Sequence, residues 1–254
     1  MKILVVITTA FTSTGGLTTV MMNYYRAMNK EGLKIDFAST NVPSQSLLDE
    51  IHVEGSEYYQ LPPRKKIVSY FYRLRRLCKN YDLLHVHGNS STSVLELMAA
   101  NWAGVKRRIV HNHTSRSQHP WINLLLHPFF LMSYTKAIAC SDAAGEWLFG
   151  NKQYQILRNA IKVSCFHYDV SVRQQIRQLL GISDSTFLVG HVGKFMDAKN
   201  HPFVIAVFAE IHRLIPNSKL LLVGDGPLRG MVETAVKNLH VEDCVISVSY
   251  THLT

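Results

Sequence analysis

One stretch decides the fold, and it reads Phe187-Leu-Val-Gly-His-Val-Gly-Lys-Phe-Met-Asp-Ala-Lys-Asn-His-Pro202. Its first six residues, up to Val192, form an apolar run typical of a buried parallel strand. Gly193 permits a turn, and Pro202 suits the first turn of a following helix. Lys194 and Lys199 lie between them, next to the positive end of that helix's dipole. The stretch predicts either an anion site or an ordinary loop with two solvated lysines.

A second unit of the same kind follows the first. Lys219 to Val223 is a predicted strand, Gly224-Asp225-Gly226-Pro227 makes a turn, and a helix is predicted from Leu228. Parallel strands end at the same edge of a sheet, so both loops are expected side by side. Two adjacent helix N-termini with two lysines favour the anion site over the ordinary loop.

The N-terminal part repeats the pattern with different side chains. Ile3 to Ile7 is a predicted strand, and a polar loop ending in Gly15-Gly16 leads into a helix. Two later strands end in His85-Val-His87 and His111-Asn-His113. A His-x-His strand places both rings on one face, which raises the question of a metal site. No nearby carboxylate or cysteine completes a usual ligand set, so a polar ligand-binding cluster is favoured and no metal is expected.

The alternation of strands and helices predicts a doubly wound α/β architecture. We expect one complete Rossmann-like domain over residues 1–165 and an incomplete second one over 166–247. The final residues, 248–254, resemble a translated sequencing adapter, and we expect them to be non-native.

Composition limits the partners and the compartment. The chain has 254 residues, is 47% hydrophobic and carries a formal charge of +9, so it is globular and favours anionic partners. Its four cysteines form no Cys-x-x-Cys pair, which favours a reduced, cytoplasmic compartment. The apolar run Trp121–Met132 is too short to span a bilayer and predicts a buried helix.

A basic amphipathic helix is predicted over residues 67–79. Lys65, Lys66, Arg73 and Arg76 surround its apolar face, which fits either a solvated surface or an anionic membrane, with the protein peripheral at the inner face of the cell membrane. Nucleic acid is a weaker partner, because aromatic residues do not alternate with the cations and no zinc or helix-turn-helix motif occurs.

Several short motifs occur in a fixed order along the chain. They are Thr14-Gly15-Gly16, His85-Val-His87, His111-Asn-His113-Thr-Ser, Ala139-Cys-Ser141-Asp, Leu157-Arg-Asn159, Val192-Gly-Lys194 and Val223-Gly-Asp-Gly-Pro227. Together they resemble the family-four glycosyltransferases of the GT-B fold, notably the bacterial capsular and exopolysaccharide group. The resemblance implies a retaining, metal-independent transfer of sugar from a nucleotide-sugar donor to a lipid-linked or polysaccharide acceptor.

The resemblance also implies roles for particular residues. His113 matches the histidine near the transferred sugar, and Lys194 and Lys199 match the cations that stabilise the diphosphate leaving group. His87 and Ser141 would lie on the acceptor side. The donor-binding set would be Gly15, Gly16, Asn159, Gly193, Lys194, Lys199, Gly224, Asp225 and Gly226.

Two departures from the family pattern qualify these expectations. Lys194 replaces the usual arginine, which keeps the charge but loses bidentate phosphate contact. The family's two glutamates spaced eight apart would follow the last residue given, so this chain alone is expected to be inactive. Two alternatives stay open: a metal-free nucleotide-sugar epimerase of the same architecture, and a basic nucleic-acid-binding protein.

Overall fold

The computed structural model describes residues 1–13, 15–117 and 119–249, and the chain divides into two compact units. The first unit is Met1–Phe166, and the second begins at His167. The sequence places this division between residues 165 and 166. Of the tail expected to be non-native, Val248 pairs with Val223 as the end of a strand, and 250–254 lie outside the described residues.

A seven-stranded parallel sheet forms the centre of the first unit, in the order β3-β2-β1-β4-β5-β6-β7. Its elements in chain order are β1 (Lys2–Ile7), α1 (Gly16–Ala27), β2 (Lys34–Ser39), α2 (Gln45–Val53), β3 (Tyr58–Gln60), α3 (Ile67–Cys78), β4 (Leu83–Gly88), α4 (Val94–Trp102), β5 (Arg107–Asn112), α5 (Pro120–Ser133), β6 (Lys136–Ala139), α6 (Asp142–Phe149) and β7 (Gln155–Ile156).

The side chains of β1 show how the two layers of helices cover this sheet. Leu4 and Val6 face a core that includes residues of α3, α4, α5 and α6. Val5 and Ile7 face the opposite core, built from α1 and α2. Because successive strand residues point to opposite faces, a strand covered on both sides must be apolar at every position. The first unit is thus the doubly wound domain that the strand–helix alternation predicts.

The second unit has a three-stranded parallel sheet in the order β10-β9-β8. Its elements are α7 (Val170–Leu179), β8 (Phe187–Val192), α8 (His201–Leu214), β9 (Ser218–Val223), α9 (Arg229–Asn238) and β10 (Val245–Val248). Its core joins Phe195 and Phe208 to Leu220, Leu222 and Val232. The predicted parallel pairing of the two strand–turn–helix units is confirmed by the register of β8 with β9.

The prediction that Phe187–Val192 is a buried strand is wrong. The strand forms, but Phe187 is 50% exposed and Val192 69%. Within the described residues β8 pairs with β9 alone, whereas β9 has a neighbour on each side. An apolar run reports the tendency to form a strand but not how many neighbours will cover it.

The prediction that Trp121–Met132 is a buried helix is also wrong. The run forms α5, yet Phe130 is its one fully buried residue, while Trp121 is 82% exposed and Met132 83%. One side of α5 packs on α4 and on the short turn of 3-10 helix at Ser91–Ser93, and apolar residues continue around its outer side. No helix in the described part of the chain combines the length and the apolar character needed to cross a membrane.

Candidate active site

Four histidines lie together on one face of the first sheet. β4 and β5 are neighbours, and His87 is directly opposite His111 in their register. The ring centroids of His87 and His111 are 5.0 Å apart, those of His111 and His113 4.1 Å, and those of His85 and His87 4.3 Å. The predicted His-x-His arrangement therefore brings all four rings into a single cluster.

The cluster is neutral at physiological pH. Nδ1 of His87 and Nε2 of His113 are hydrogen-bonded at 2.9 Å. Burial lowers the pKa of His113 to about 4, and burial together with the neighbouring histidines lowers the pKa of His111 to about 2. His113, which is partly exposed, can exchange a hydrogen bond with a sugar hydroxyl at pH 7, but as a neutral ring.

A polar cleft of about 550 Å³ opens at the carboxyl ends of β1, β4 and β5. Parallel α/β sheets bind ligands at this edge. Most of its lining residues follow a strand end, and the lining consists of Thr8, Thr9, Arg64, Asn89, Ser90, Thr92, Thr114, Arg116, Ser117 and His119. These residues were not predicted as site residues, although two or more of them follow the end of each of β1, β4 and β5.

Two arginines line this cleft, and they differ in whether a carboxylate neutralises their charge. Arg64 is paired with Glu96 at 2.9 Å, and Tyr70 donates to the same carboxylate at 2.7 Å. Glu96 is fully buried, so the Arg64–Glu96 pair adds little net charge to the cleft. Arg116 is exposed and has no ion pair among the described residues. Arg116 is therefore the cation with which an anionic ligand would pair.

A second cleft, of about 430 Å³, shares Arg116 and Ser117 with the first. Its other lining residues come from α5 and α6: Pro120, Asn123, Leu124, His127 and Trp147. The polar cleft consequently passes into the exposed apolar surface of α5. A ligand with a polar head and an apolar tail would match both parts.

The remaining predicted residues of the first unit have different environments. Gly15 precedes α1, and Gly16 is its first residue. Apart from its chain neighbours and its own helix backbone, no described atom lies within 4 Å of where a Cβ on Gly16 would be. Ser141 caps α6, because its Oγ accepts from the Ala144 N–H at 3.2 Å. Asn159 is exposed on a loop fastened to α1 by hydrogen bonds to the carbonyls of Arg158 and Ala160.

In the second unit the two predicted glycine loops lie against each other. The Phe195 N–H donates to the Asp225 carbonyl at 3.0 Å. A Cβ on Gly224 would lie 2.1 Å from the Gly193 carbonyl oxygen, and one on Gly226 would lie 2.4 Å from that of Phe195. Neither position can hold a side chain unless the loops move apart.

Both predicted lysines lie on these loops. Lys199 runs past Gly193, with its Cγ and Cδ 3.4 Å from where a Cβ on that glycine would lie. Lys194 and Lys199 are exposed, and no ion pair engages either of them within the described residues. Their charges are available to an anion near the start of α8.

Arg229 was not predicted as a site residue. Its guanidinium lies 3.6 Å from the Asp225 carboxylate and 3.1 Å from that of Glu233. The Asp225 carboxylate also accepts from the Gly226 N–H at 2.7 Å, so it is already engaged within its own loop. The spacing of Asp225, Arg229 and Glu233 at intervals of four residues was the available signal.

A model of the family described as Glycosyltransferase Family 4 matches residues 14–162, more than half of the chain. The chain belongs to Glycosyltransferase Family 4. It is 27% identical over 235 residues to EpsF, named as a glycosyltransferase, from Bacillus subtilis (strain 168), and this match covers 86% of the chain. It is also 27% identical over 255 residues to the N-acetyl-alpha-D-glucosaminyl L-malate synthase of Bacillus anthracis, with 94% of the chain covered.

The matches cover 61% of EpsF and 66% of the malate synthase, so the chain spans about two thirds or less of these relatives. Among solved structures, Anabaena HepE in complex with UDP-glucose matches with a TM-score of 0.78 at 17% identity, covering 98% of this chain and 69% of HepE. The predicted α/β fold of the GT-B glycosyltransferases is confirmed.

Proposed function

We propose that the protein transfers a sugar from a nucleotide-sugar donor to a lipid-linked acceptor at an anionic membrane surface. The observation that carries the donor half is the pair of unneutralised lysines, Lys194 and Lys199, on the interlocked glycine loops. The complex of the similar HepE with UDP-glucose supports a nucleotide sugar as the donor. The family assignment supports transfer over the epimerase and nucleic-acid alternatives.

The chemical argument concerns charge on the leaving group. As the bond from the sugar to the diphosphate breaks, negative charge grows on the phosphate oxygens. The aliphatic part of Lys199 lies beside Gly193, which places its charge at this loop. Cations already in place where charge develops lower barriers by a few kcal/mol. Lys194 adds a second point charge on the same loop. We propose that this step needs no metal and retains the anomeric configuration, as the family resemblance implies.

The acceptor half is argued from the first unit. The polar cleft with Arg116 would hold the charged or hydroxyl-rich head of an acceptor, and His113 would exchange a hydrogen bond with it or with the transferred sugar. The neighbouring cleft opens on α5, which offers an apolar surface to a lipid tail. This continuity favours a lipid-linked acceptor over a free polysaccharide.

The helices α3, α4 and α5, which we call the three-helix face, support docking to a membrane. α4 contacts both α3 and α5. Large apolar residues are exposed on all three helices: Ile67, Val68, Tyr72, Trp102, Trp121, Leu124, Leu125, Phe129 and Met132. Exposed apolar patches of this kind mark interaction surfaces.

The charges on the three-helix face are of one sign. The sequence from 61 to 135 contains two acidic residues, Asp82 and Glu96. Glu96 is buried against Arg64, and Asp82 accepts from the Lys2 N–H at 2.7 Å. Lys65, Lys66, Arg73 and Arg76 are all exposed. Asp82 is exposed but lies between α3 and β4, so none of the three helices carries an exposed acid. Exposed apolar residues among cations fit a bilayer that carries anionic lipids, as at the inner face of a cell membrane.

The donor proposal is tested by titrating the full chain with UDP. Lys199→Ala should weaken UDP binding about tenfold or more, because a charge-assisted phosphate contact contributes roughly 1.5–3 kcal/mol. Lys237→Ala, on the exposed surface of α9, is the matched control and should bind like the wild type. Equal UDP affinity for both variants would remove Lys199 from the donor site. In an enzyme that also carries the family's glutamate pair, the same substitution should lower turnover with a labelled nucleotide sugar and a lipid-linked acceptor by orders of magnitude.

The membrane proposal is tested by co-sedimentation with vesicles. The double variant Leu125→Glu/Met132→Glu should partition at least about tenfold less into phosphatidylglycerol vesicles than the wild type. Val172→Glu, at an exposed apolar position of α7, is the control and should partition normally. Failure of the wild type to bind these vesicles would contradict the proposal, whatever the result with UDP.

A further inference from the structure

Three histidines of the cluster meet the basic requirement of a metal centre. His85, His87 and His111 each offer one ring nitrogen, and these three atoms lie within 4.8 Å of one another. Two of the residues belong to β4 and the third to β5, so the sheet itself fixes their Cα positions. The third ligand comes from a neighbouring strand, about 25 residues later in the chain, which is why the sequence argument found each His-x-His pair incomplete.

A second observation comes from the hydrogen bonding of these rings. His111 is 1% exposed, and neither of its ring nitrogens has a hydrogen-bond partner among the residues that the structure describes. Nε2 of His85 is also buried without a partner. A buried polar atom that lacks a hydrogen bond costs roughly 1–3 kcal/mol, so two rings with unpaired nitrogens in contact are an expensive arrangement. Coordination to a metal would use these nitrogens as lone-pair donors.

We infer that His85, His87 and His111 bind one divalent transition-metal ion of the zinc class. Three imidazoles with no carboxylate favour Zn²⁺, Co²⁺, Ni²⁺ or Cu²⁺ over Mg²⁺ or Ca²⁺, which prefer oxygen ligands. Three protein ligands with one open position is a common arrangement for zinc, so a nearby acid or cysteine is not required. The separation of the three atoms allows convergence on one ion through small ring rotations.

His113 supplies the outer contact that such a site needs. Its Nε2 is bonded to Nδ1 of His87, which leaves Nε2 of His87 as the atom for the metal. With the metal on Nε2, the His87 Nδ1–H must donate to His113. Bonds of this kind fix the tautomer and orientation of a ligating ring. His113 is thus a positioning residue for the metal.

An entry path to the three rings is also present. A pocket of about 150 Å³ is lined by His85, His87 and His111 together with apolar residues of α1, β1 and β2, among them Met21, Tyr24 and Phe37. The pocket would admit an ion and a fourth, exchangeable ligand such as water. The bound ion would tie β4 to β5 beneath His113, while the diphosphate chemistry stays with the second unit.

The test uses the full chain without a polyhistidine tag. Co²⁺ titration should give the visible absorption of a nitrogen-bound Co²⁺ site, saturating at one ion per chain, and Zn²⁺ should displace it. Zn²⁺ should also raise the midpoint of thermal unfolding, and a chelator should reverse the rise. Absence of both signals in the wild type would overturn the inference.

Variants decide which histidines are involved. His111→Gln keeps a neutral polar side chain and should weaken Co²⁺ binding at least about tenfold, since ligand removal costs more than loss of an outer contact. His52→Gln, on the exposed surface of α2, is the control and should bind like the wild type. If His111→Gln does not fold, His85→Gln at a half-buried position answers the same question. Wild-type affinity in the folded variant would mean adventitious binding elsewhere and contradict the assignment.

Discussion

The same sequence pattern, an apolar strand followed by a glycine loop and a helix, occurs near the start of each unit with different results. β1 lies in the interior of the seven-stranded sheet, between β2 and β4, with cores on both faces, and Val6 is completely buried. β8 lies at the edge of its described sheet, and Val192 is 69% exposed. The loops after these strands differ in the opposite way, because the loop after the exposed strand is the more tightly packed one. The loop after β1 leaves space around Gly16, whereas the loop after β8 is packed tightly against the loop after β9.

This difference shows which properties are local and which are not. Strand, turn and helix follow from a dozen neighbouring residues, and both regions form them. Burial of the strand depends on partners that come from elsewhere in the chain. The tightness of the loop depends on a second loop about 30 residues away. Three comparisons between the two units test whether a property is set by neighbouring residues or by distant ones.

The largest effect is expected where the loops interlock. Gly224→Ala places a Cβ 2.1 Å from the Gly193 carbonyl oxygen, a backbone atom that cannot move aside alone. We expect the second unit to lose about 3 kcal/mol of unfolding free energy, the upper range for overpacking. Gly16→Ala, at the open loop, should change stability by less than about 0.5 kcal/mol. Urea unfolding followed by circular dichroism measures both, and equal losses would refute the packing argument.

A smaller effect separates the two strands. Val6→Ala removes two methyl groups from a fully buried site and should cost about 2 kcal/mol, from the transfer of these groups and the cavity left behind. Val192→Ala makes the same chemical change on the exposed strand and should cost less than about 0.5 kcal/mol. The shift in the urea midpoint reports the difference. A large loss for Val192→Ala would mean that β8 is covered in solution.

The smallest effect concerns two helix caps and pH. The Asp169 carboxylate caps α7 by accepting from the Ser171 and Val172 N–H groups at 2.8 and 3.0 Å, whereas the Ser141 hydroxyl caps α6. The hydrogen bonds that the Asp169 carboxylate accepts lower its pKa, and the bond from the Ser171 hydroxyl has the largest effect. Because the pKa of Asp169 is lower in the folded state, its ionised carboxylate stabilises the cap fully at pH values above the pKa of an unfolded aspartate. That stabilisation is lost as the pH falls through the pKa of Asp169 in the folded state.

Amide hydrogen exchange can separate the two caps. As the pH is lowered below about 4, protection at Val172 should decrease, while protection at Ala144 should not, because a serine hydroxyl does not titrate there. A parallel loss at both amides would contradict this expectation, since it would report unfolding of more than one cap.

The sequence predicted which side chains and loops meet better than it predicted which surfaces are exposed. The histidine rings meet because a period of two and parallel pairing together fix their positions. The glycine loops meet for the same reason. Arg116 and Asn89 were missed because their roles depend on a cleft whose walls come from three strands. The exposure of α5 could not be derived, because a helix that is apolar all round looks the same whether the protein or a membrane covers its outer side.

The packing of Gly224 and Gly226 also affects how such sequences evolve. These residues are required by contact with the backbone at Gly193 and Phe195, independently of any substrate. A descendant that lost Lys194 and Lys199 would still have to keep both glycines in order to fold. The tetrapeptide Gly224-Asp-Gly-Pro227 therefore records ancestry and architecture, and a search that recognises it will recover inactive members of the lineage together with active ones.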